Sequence, residues 1–381
     1  MARSPCQGFS IGAANNSRWL DFITPKVLGA SVSEGSEWIQ PRENSVDALV
    51  HGMMVSDGVE FDLRLTTDEE LVLHHDPRTL TGRFPEQHTS SELSDEAESF
   101  ESLLSQSDFA RPWVEEARFV CIELKPPHPS SGKGGGWTSK LGRREHLTRM
   151  IERLDEMLDE IGVPESNCVV YSFDSTLDQA VKASGSDLKF ARLRPHMRQW
   201  GGSFIQKVVS TPSFIGHSLI GLVNSHRLAG APLLPVAIDY IHGFKRHLTM
   251  GQTAGISGSQ LEKFNRRRAG FPVFVWSAGL ALEHELLEGG MSVITDDLDP
   301  GIGVLPSGQQ RRLRPATMPD GKMPWHELSD SERQIQIETW KTRWNWARSM
   351  DHLLEETSEA SMPWEAVRLI GHRGAGRTNR S

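Results

Sequence analysis

Alternation of apolar and polar positions marks Gly58-Val59-Glu60-Phe61-Asp62-Leu63-Arg64 as a strand. Glu60 and Asp62 are two apart, so they project from one face. Two carboxylates leaving a strand end together suit a hard divalent cation, which prefers oxygen ligands. The apolar run Leu71-Val72-Leu73 follows and ends in His74, His75 and Asp76. An imidazole beside a cation-bound substrate is a natural general acid or base. Upstream, Lys26 to Ala30 reads as a short strand, and Val46, Leu49, Val50 and Met53 fall at helical spacing behind a cap at Asn44 or Ser45.

The same alternation of elements continues downstream. Helical spacing covers 92–107, and 119–125 is an apolar strand ending in the charged pair Glu123 and Lys125. After a Pro/Ser/Gly loop, Leu147, Met150, Ile151, Leu154, Met157, Leu158 and Ile161 define a long amphipathic helix stopped by Gly162 and Pro164. Strands follow at 168–172, 188–193, 235–240, 272–276 and 292–295, with helices at 177–183, 260–269 and 280–287. The stretch 194–232 shows only weak helical signals. Strands alternating with helices imply a parallel sheet. Charged or polar residues recur at the C-terminal strand ends, at Asp62, Glu123, Ser172, Trp276 and Asp296, where a TIM-type (β/α)8 barrel builds its active site. The competing open, doubly wound sheet is weakened by the lack of any Gly-rich phosphate or dinucleotide motif.

Composition changes this picture little. The 381 residues are 37% hydrophobic and 24% charged, ordinary for a soluble globular chain. A net charge of −9 argues against a nucleic-acid surface. Cys6, Cys121 and Cys168 are too far apart for a zinc knuckle or a disulfide framework, and the last two read as small core residues. The first 16 residues lack the apolar stretch of a signal peptide, and no run approaches the ~18–20 residues of a membrane span, so the expected location is cytoplasmic. Residues 1–25 read as a loose N-terminal segment. Residues 301–328 read as a Gly/Pro/Arg-rich linker, and 329–357 as one long amphipathic helix whose tryptophans pack. Residues 363–381 hold a further strand and the motif Ile370-Gly371-His372-Arg373-Gly374.

The ordered set Glu60-Phe61-Asp62, His75-Asp76, Ile122-Glu123-Leu124-Lys125, Ser172-Phe173, Trp276 and Ile294-Thr295-Asp296 resembles the glycerophosphodiester phosphodiesterase family, across 26–300. The resemblance implies a barrel that hydrolyses glycerophosphodiesters to glycerol 3-phosphate and an alcohol. It implies a divalent cation, Ca2+ or Mg2+, on Glu60, Asp62 and Glu123, a phosphate contact from Lys125, acid–base work by His75, and a pocket wall from Trp276. The partner is then a small-molecule diester, with neither nucleic acid nor a transmembrane segment involved.

One departure qualifies the match. Family members carry His-Arg-Gly at the end of the first strand, where the histidine is a second acid–base group and the arginine grips phosphate. Here Val27 and Leu28 stand in those places, although Pro41, Glu43, Asn44 and Ser45 match the stretch that follows. The missing motif recurs as His372-Arg373-Gly374. Two arrangements account for it. In the favoured one, 363–381 begins a second barrel, because 26–30 already fills the first slot and a barrel closes with a fixed strand number. In the other, the C-terminal strand enters this barrel at or beside the first position, as in a circular permutation, and delivers His372 as catalytic group and Arg373 as phosphate ligand. The functional alternative to hydrolysis is a weakened barrel that serves as a binding or structural partner domain.

Overall fold

The computed structural model describes residues 38–194, 196, 204–250, 255–311 and 323–378. Ten strands are present among them. In chain order they are β1 (Gly58–Leu65), β2 (Leu71–Leu73), β3 (Glu98–Ser99), β4 (Phe119–Leu124), β5 (Cys168–Ser172), β6 (Phe190–Arg192), β7 (Leu234–Ala237), β8 (Val273–Ala278), β9 (Ser292–Thr295) and β10 (Leu369–His372). The helices are α1 (Val46–Val55), α2 (Ser90–Leu93), α3 (Phe100–Leu104), α4 (Ser107–Glu115), α5 (Lys140–Ile161), α6 (Leu177–Ser184), α7 (Phe204–Ile215), α8 (Leu219–Leu228), α9 (Gly258–Arg268), α10 (Leu280–Glu288), α11 (Asp330–Trp344) and α12 (Met350–Glu355).

Eight strands form a nearly closed parallel barrel in the order β6-β5-β4-β1-β10-β9-β8-β7, with the seam between β6 and β7. β2 and β3 lie off this path, β2 antiparallel to β1. Every residue of β1 is buried, as a parallel strand covered on both faces requires. Its parity sorts its side chains. Val59, Phe61 and Leu63 pack outward with Leu49 and Met53 of α1 and Leu147 and Ile151 of α5. Glu60 and Asp62 therefore point inward. The interior core below them contains Phe119, Cys121, Val169, Tyr171, Ala191, Phe274, Ile294 and Ile370. Cys121 and Cys168 are buried free thiols, as expected of core residues.

The first barrel position is filled from the C-terminal end of the chain. β10 is parallel to β1 on one side, with Gly58 opposite Ile370 and Glu60 opposite His372, and to β9 on the other. This corrects the arrangement favoured from sequence: 369–372 completes the barrel of β1–β9 instead of opening a second one, so 26–300 is short of one strand. The strand expected at 26–30 and the loose segment at 1–25 lie outside the described residues. The reason for the error is physical. Strand neighbours are chosen by long-range pairing, which local pattern does not carry.

Two further expectations change. The long helix at 329–357 is two helices, since Asn345 takes a left-handed conformation (φ 55°) that ends α11, and Ser349 caps α12. The linker at 301–328 is packed where described: Leu305 and Trp325 are buried, and the buried Arg311 is bidentate to Glu283 at 2.9 and 2.7 Å. Trp325, Trp340, Trp344 and Trp346 cluster with Ile337, Leu353 and Met362. That cluster also contains Ala117, just before β4, and abuts Gly270 and Gly290, just before β8 and β9. It thus covers the N-terminal end of the barrel, from which β10 rises.

Candidate active site

Glu60 and Asp62 on β1 and Glu123 on β4 converge at the C-terminal end of the barrel. All three are buried, and each offers a carboxylate oxygen within 4.8 Å of the others. Parallel pairing sets Asp62 opposite Glu123, which explains the convergence. Lys125 lies among them, its Nζ 2.9 Å from Asp62 Oδ1 and 2.5 Å from Glu123 Oε1. Burial pushes the Glu123 carboxyl up to about 7 although Lys125 pulls it down. Burial also raises Glu60, opposed in part by His372. Asp62 is the exception: Lys125, His75, Arg373 and the Asn44 amide outweigh its burial and hold it well below the usual carboxylate range. Three buried carboxylates, two of them on the Lys125 ammonium, form an oxygen-rich, electron-rich donor set. Such a set fits a hard divalent cation, since like charges held together are otherwise destabilising.

β10 brings the second half of the site. His372 Nδ1 lies 2.5 Å from Asp296 Oδ1, beyond the end of β9, and its Nε2 lies 3.5 Å from Glu60 Oε2. A hydrogen bond from Nδ1 to a carboxylate fixes the tautomer, so Nε2 is the nitrogen presented to the carboxylates. Burial raises the Asp296 carboxyl, but His372, Arg377 and Arg373 outweigh it and hold it far below its ordinary value. Arg373 bends back with φ 51°. Its amide donates to Glu60 Oε2 at 3.1 Å, its Nη1 to Glu43 Oε2 at 2.9 Å, and its Nε stands 3.6 Å from Asp62 Oδ2. Asn44, itself at φ 54°, donates from Nδ2 to Asp62 Oδ2 at 2.8 Å and accepts from the Asp62 amide at 3.1 Å. The loop that leads into α1 thus clamps both the arginine and the central aspartate.

His75 follows β2, the strand folded back on β1. Its Nδ1 lies 2.7 Å from Asp76 Oδ1, and its backbone carbonyl accepts from Arg64 Nη2 at 3.0 Å. Partial burial, with Lys125 second, holds the imidazole well below its ordinary value, so it is neutral near pH 7. Trp276, on β8, meets His196 edge-on at a ring distance of 4.6 Å and Phe173 at 6.2 Å. Its buried Nε1 has no hydrogen-bond partner among the described residues.

Glu60, Asp62, Glu123, Lys125, His372 and Arg373 are therefore linked by direct contacts, and His75 is coupled to Asp62 and Lys125 electrostatically. Trp276 stands apart from them with its aromatic neighbours. Sequence reasoning gave no role to Asp296 as the partner of His372, nor to Glu43 and Asn44 as holders of Arg373 and Asp62. The signal for Asp296 was its place at a strand end; nothing local pairs it with a residue 76 positions away.

The description "Glycerophosphoryl diester phosphodiesterase family" matches residues 30–117. No curated protein matches the chain. Among solved structures, the Thermotoga maritima glycerophosphodiester phosphodiesterase is 15% identical, with 66% of this chain and 87% of that one covered and a TM-score of 0.40. An Oleispira antarctica phosphodiesterase in complex with the product sn-glycerol-3-phosphate is 13% identical, with 67% and 87% covered and a TM-score of 0.42. A Silicibacter pomeroyi protein described as a putative glycerophosphoryl diester phosphodiesterase is 15% identical, with 62% and 78% covered and a TM-score of 0.41.

Proposed function

We propose that this chain, which matches the glycerophosphoryl diester phosphodiesterase family over 30–117, is a member of that family and hydrolyses glycerophosphodiesters to glycerol 3-phosphate and an alcohol. The observation that carries the reading is the arrival of His372 and Arg373 beside Glu60 and Asp62, which restores the two groups that Val27 and Leu28 lack. It removes the main ground for a barrel that binds without hydrolysing.

Glu60, Asp62 and Glu123 would hold the divalent cation, Ca2+ or Mg2+. When bound, such an ion polarises the phosphoryl group and neutralises charge developing on its oxygens. Arg373 offers phosphate a planar fork of donors and Lys125 a point charge. Glu43 holds that fork in place from behind. His75, neutral at pH 7, is suited to take a proton from the attacking water. His372, with Nδ1 committed to Asp296, presents Nε2 as the second acid–base group, on the side of the leaving oxygen. Trp276 would wall the pocket on the side of the alcohol.

The test is release of glycerol 3-phosphate from glycerophosphocholine and glycerophosphoethanolamine with Ca2+ or Mg2+. Activity that falls ~10²–10⁴-fold in His372→Ala supports the reading, since that is what one acid–base group typically contributes. Activity indifferent to the substitution would leave a one-histidine site around His75. No turnover of either diester by the intact chain would return the binding-module reading.

A further inference from the structure

We propose that α7 and the loop after β7 dock this protein on an anionic phospholipid surface, with the mouth of the barrel facing the lipid. The first observation is position. α8, not α7, is the helix that leads back to β7, so α7 is an insertion between β6 and its crossover helix. Its C-terminal end is fixed beside the residues that follow β7: Phe214 packs on Tyr240 at a ring distance of 4.5 Å, and the Ile215 carbonyl accepts from the Met250 amide at 2.9 Å. The strand ends bearing Asp62, Glu123 and His372 belong to this same end of the barrel.

The second observation is the direction of its amphipathicity. Phe204, Ile205, Val208 and Val209 are 82%, 75%, 53% and 62% exposed, while Ser210 and Phe214 are buried. The exposed positions recur at i, i+1, i+4 and i+5, one stripe of an α-helix. A surface helix ordinarily turns its apolar stripe to the core. Here bulky apolar residues face outward, and among the described residues nothing covers them. Phe244, on the loop after β7, is exposed as well.

The third observation is charge. Residues 188–261 contain eight Lys and Arg and a single acid, Asp239, in a chain of net charge −9. Lys207 and Arg246 accompany the exposed apolar residues on α7 and the β7 loop, where Lys245 is paired to Asp239 at 2.8 Å. Apolar side chains bordered by cations are the signature of an interfacial helix on anionic lipid. Twelve residues reach only about 18 Å along the axis, so α7 lies on a bilayer and does not cross it. A second copy of this chain would instead bring like charges together at the interface.

The test uses the intact protein and co-sedimentation with phosphatidylcholine vesicles, with and without ~30% phosphatidylglycerol. Partitioning at least ten-fold stronger onto the anionic vesicles and weakened by salt is expected. Phe204→Ser with Val208→Ser should abolish it, Phe244→Ser should weaken it, and Leu228→Ser should not change it, since Leu228 is 89% exposed at the far end of α8. No vesicle binding, or binding indifferent to the α7 substitutions, overturns the proposal. So does concentration-dependent dimerisation that the α7 substitutions abolish in a chain that ignores vesicles. Hydrolysis of soluble glycerophosphocholine is measured alongside and should survive the α7 substitutions. Its absence in a chain that still binds vesicles would sink the hydrolase reading alone.

Discussion

Gly374 is the position at which the closing strand can be tested most sharply. It has φ +88°, and a Cβ built there would stand 2.4 Å from the Ala48 carbonyl carbon, 2.6 Å from the Ala48 oxygen and 2.7 Å from the Leu49 amide nitrogen. These are backbone atoms of α1, so no side chain can swing aside. Gly82 is a matched control, with φ +87° and nothing within 4 Å of a Cβ. Gly82→Ala therefore carries only the left-handed backbone term, ~1–2 kcal/mol. Gly374→Ala adds overpacking against rigid backbone, ~1–3 kcal/mol more. The Gly374 amide also donates to the Glu60 carbonyl at 3.2 Å, and that bond must strain as the turn moves. Expected is a lower melting temperature for both variants, further lowered for Gly374→Ala, which also loses diester hydrolysis while Gly82→Ala keeps it. Thermal melts and glycerol 3-phosphate release measure both. Equal melting temperatures for the two variants would mean that the C-terminal turn does not sit against α1, and the permuted closure would be wrong.

Other expectations follow from the same contacts. Ile370→Ala empties a fully buried position in the barrel interior and should cost ~2–5 kcal/mol, read from the shift of a denaturant midpoint. Asp296→Asn removes the carboxylate that fixes His372, so activity should fall at least ten-fold while cation binding, measured by titration calorimetry, stays within a few-fold. Since burial pushes Glu123 up to about 7, cation uptake at pH 6.5 should release protons, seen as a dependence of the calorimetric heat on buffer ionisation enthalpy that Glu123→Gln abolishes. Burial holds His146 down to about 3, so below pH 6.5 the unfolded chain takes up a proton that the folded chain refuses; stability should fall by ~2 kcal/mol between pH 7 and 5, and His146→Leu should remove that part of the loss in urea melts.

What could be read in advance depended on whether the governing physics was local. The same-face projection of Glu60 and Asp62 follows from strand parity alone, and Glu123 with Lys125 from an apolar run ending in charges. The long helix α5 was legible because 22 residues repeat a helical apolar spacing and Gly162 stops them in a left-handed conformation. The break between α11 and α12 was not, since Asn345 resembles any polar helical residue until it adopts φ 55°. The slot taken by β10 was beyond local pattern for another reason. Its partner Gly58 lies over 300 positions earlier, and pairing across that span leaves no mark in the spacing of neighbouring residues. α7 lies in the stretch 194–232, whose helical signals are weak because Phe204, Ile205, Val208 and Val209 are exposed and the residues it buries, Ser210 and Phe214, set no clear apolar stripe.

The permuted closure also makes the C-terminal helices part of the site. A closing strand at the far end of the chain must bridge more than 300 residues to pair with β1, and a span ten-fold longer than a βαβ unit of about 30 residues adds ~2 kcal/mol of closure entropy. That cost is small beside what the approach to β10 buries. Trp325 and Ile337 are fully buried, and Trp340, Trp344 and Trp346 nearly so, each contributing ~1.5–3 kcal/mol if fully removed from water. Arg368, just before β10, is buried with its guanidinium on the carbonyls of Met362, Pro363, Trp364 and Ala366, and the Leu369 amide donates to Asp57 at 2.7 Å. Past the strand, Gln40 holds the carbonyls of Ala375 and Arg377 at 3.2 and 3.1 Å. Contacts on both sides thus bracket four residues that end in His372. The helices at the base of the barrel, though they touch no substrate, hold the strand that sets the position of His372 and Arg373 above it.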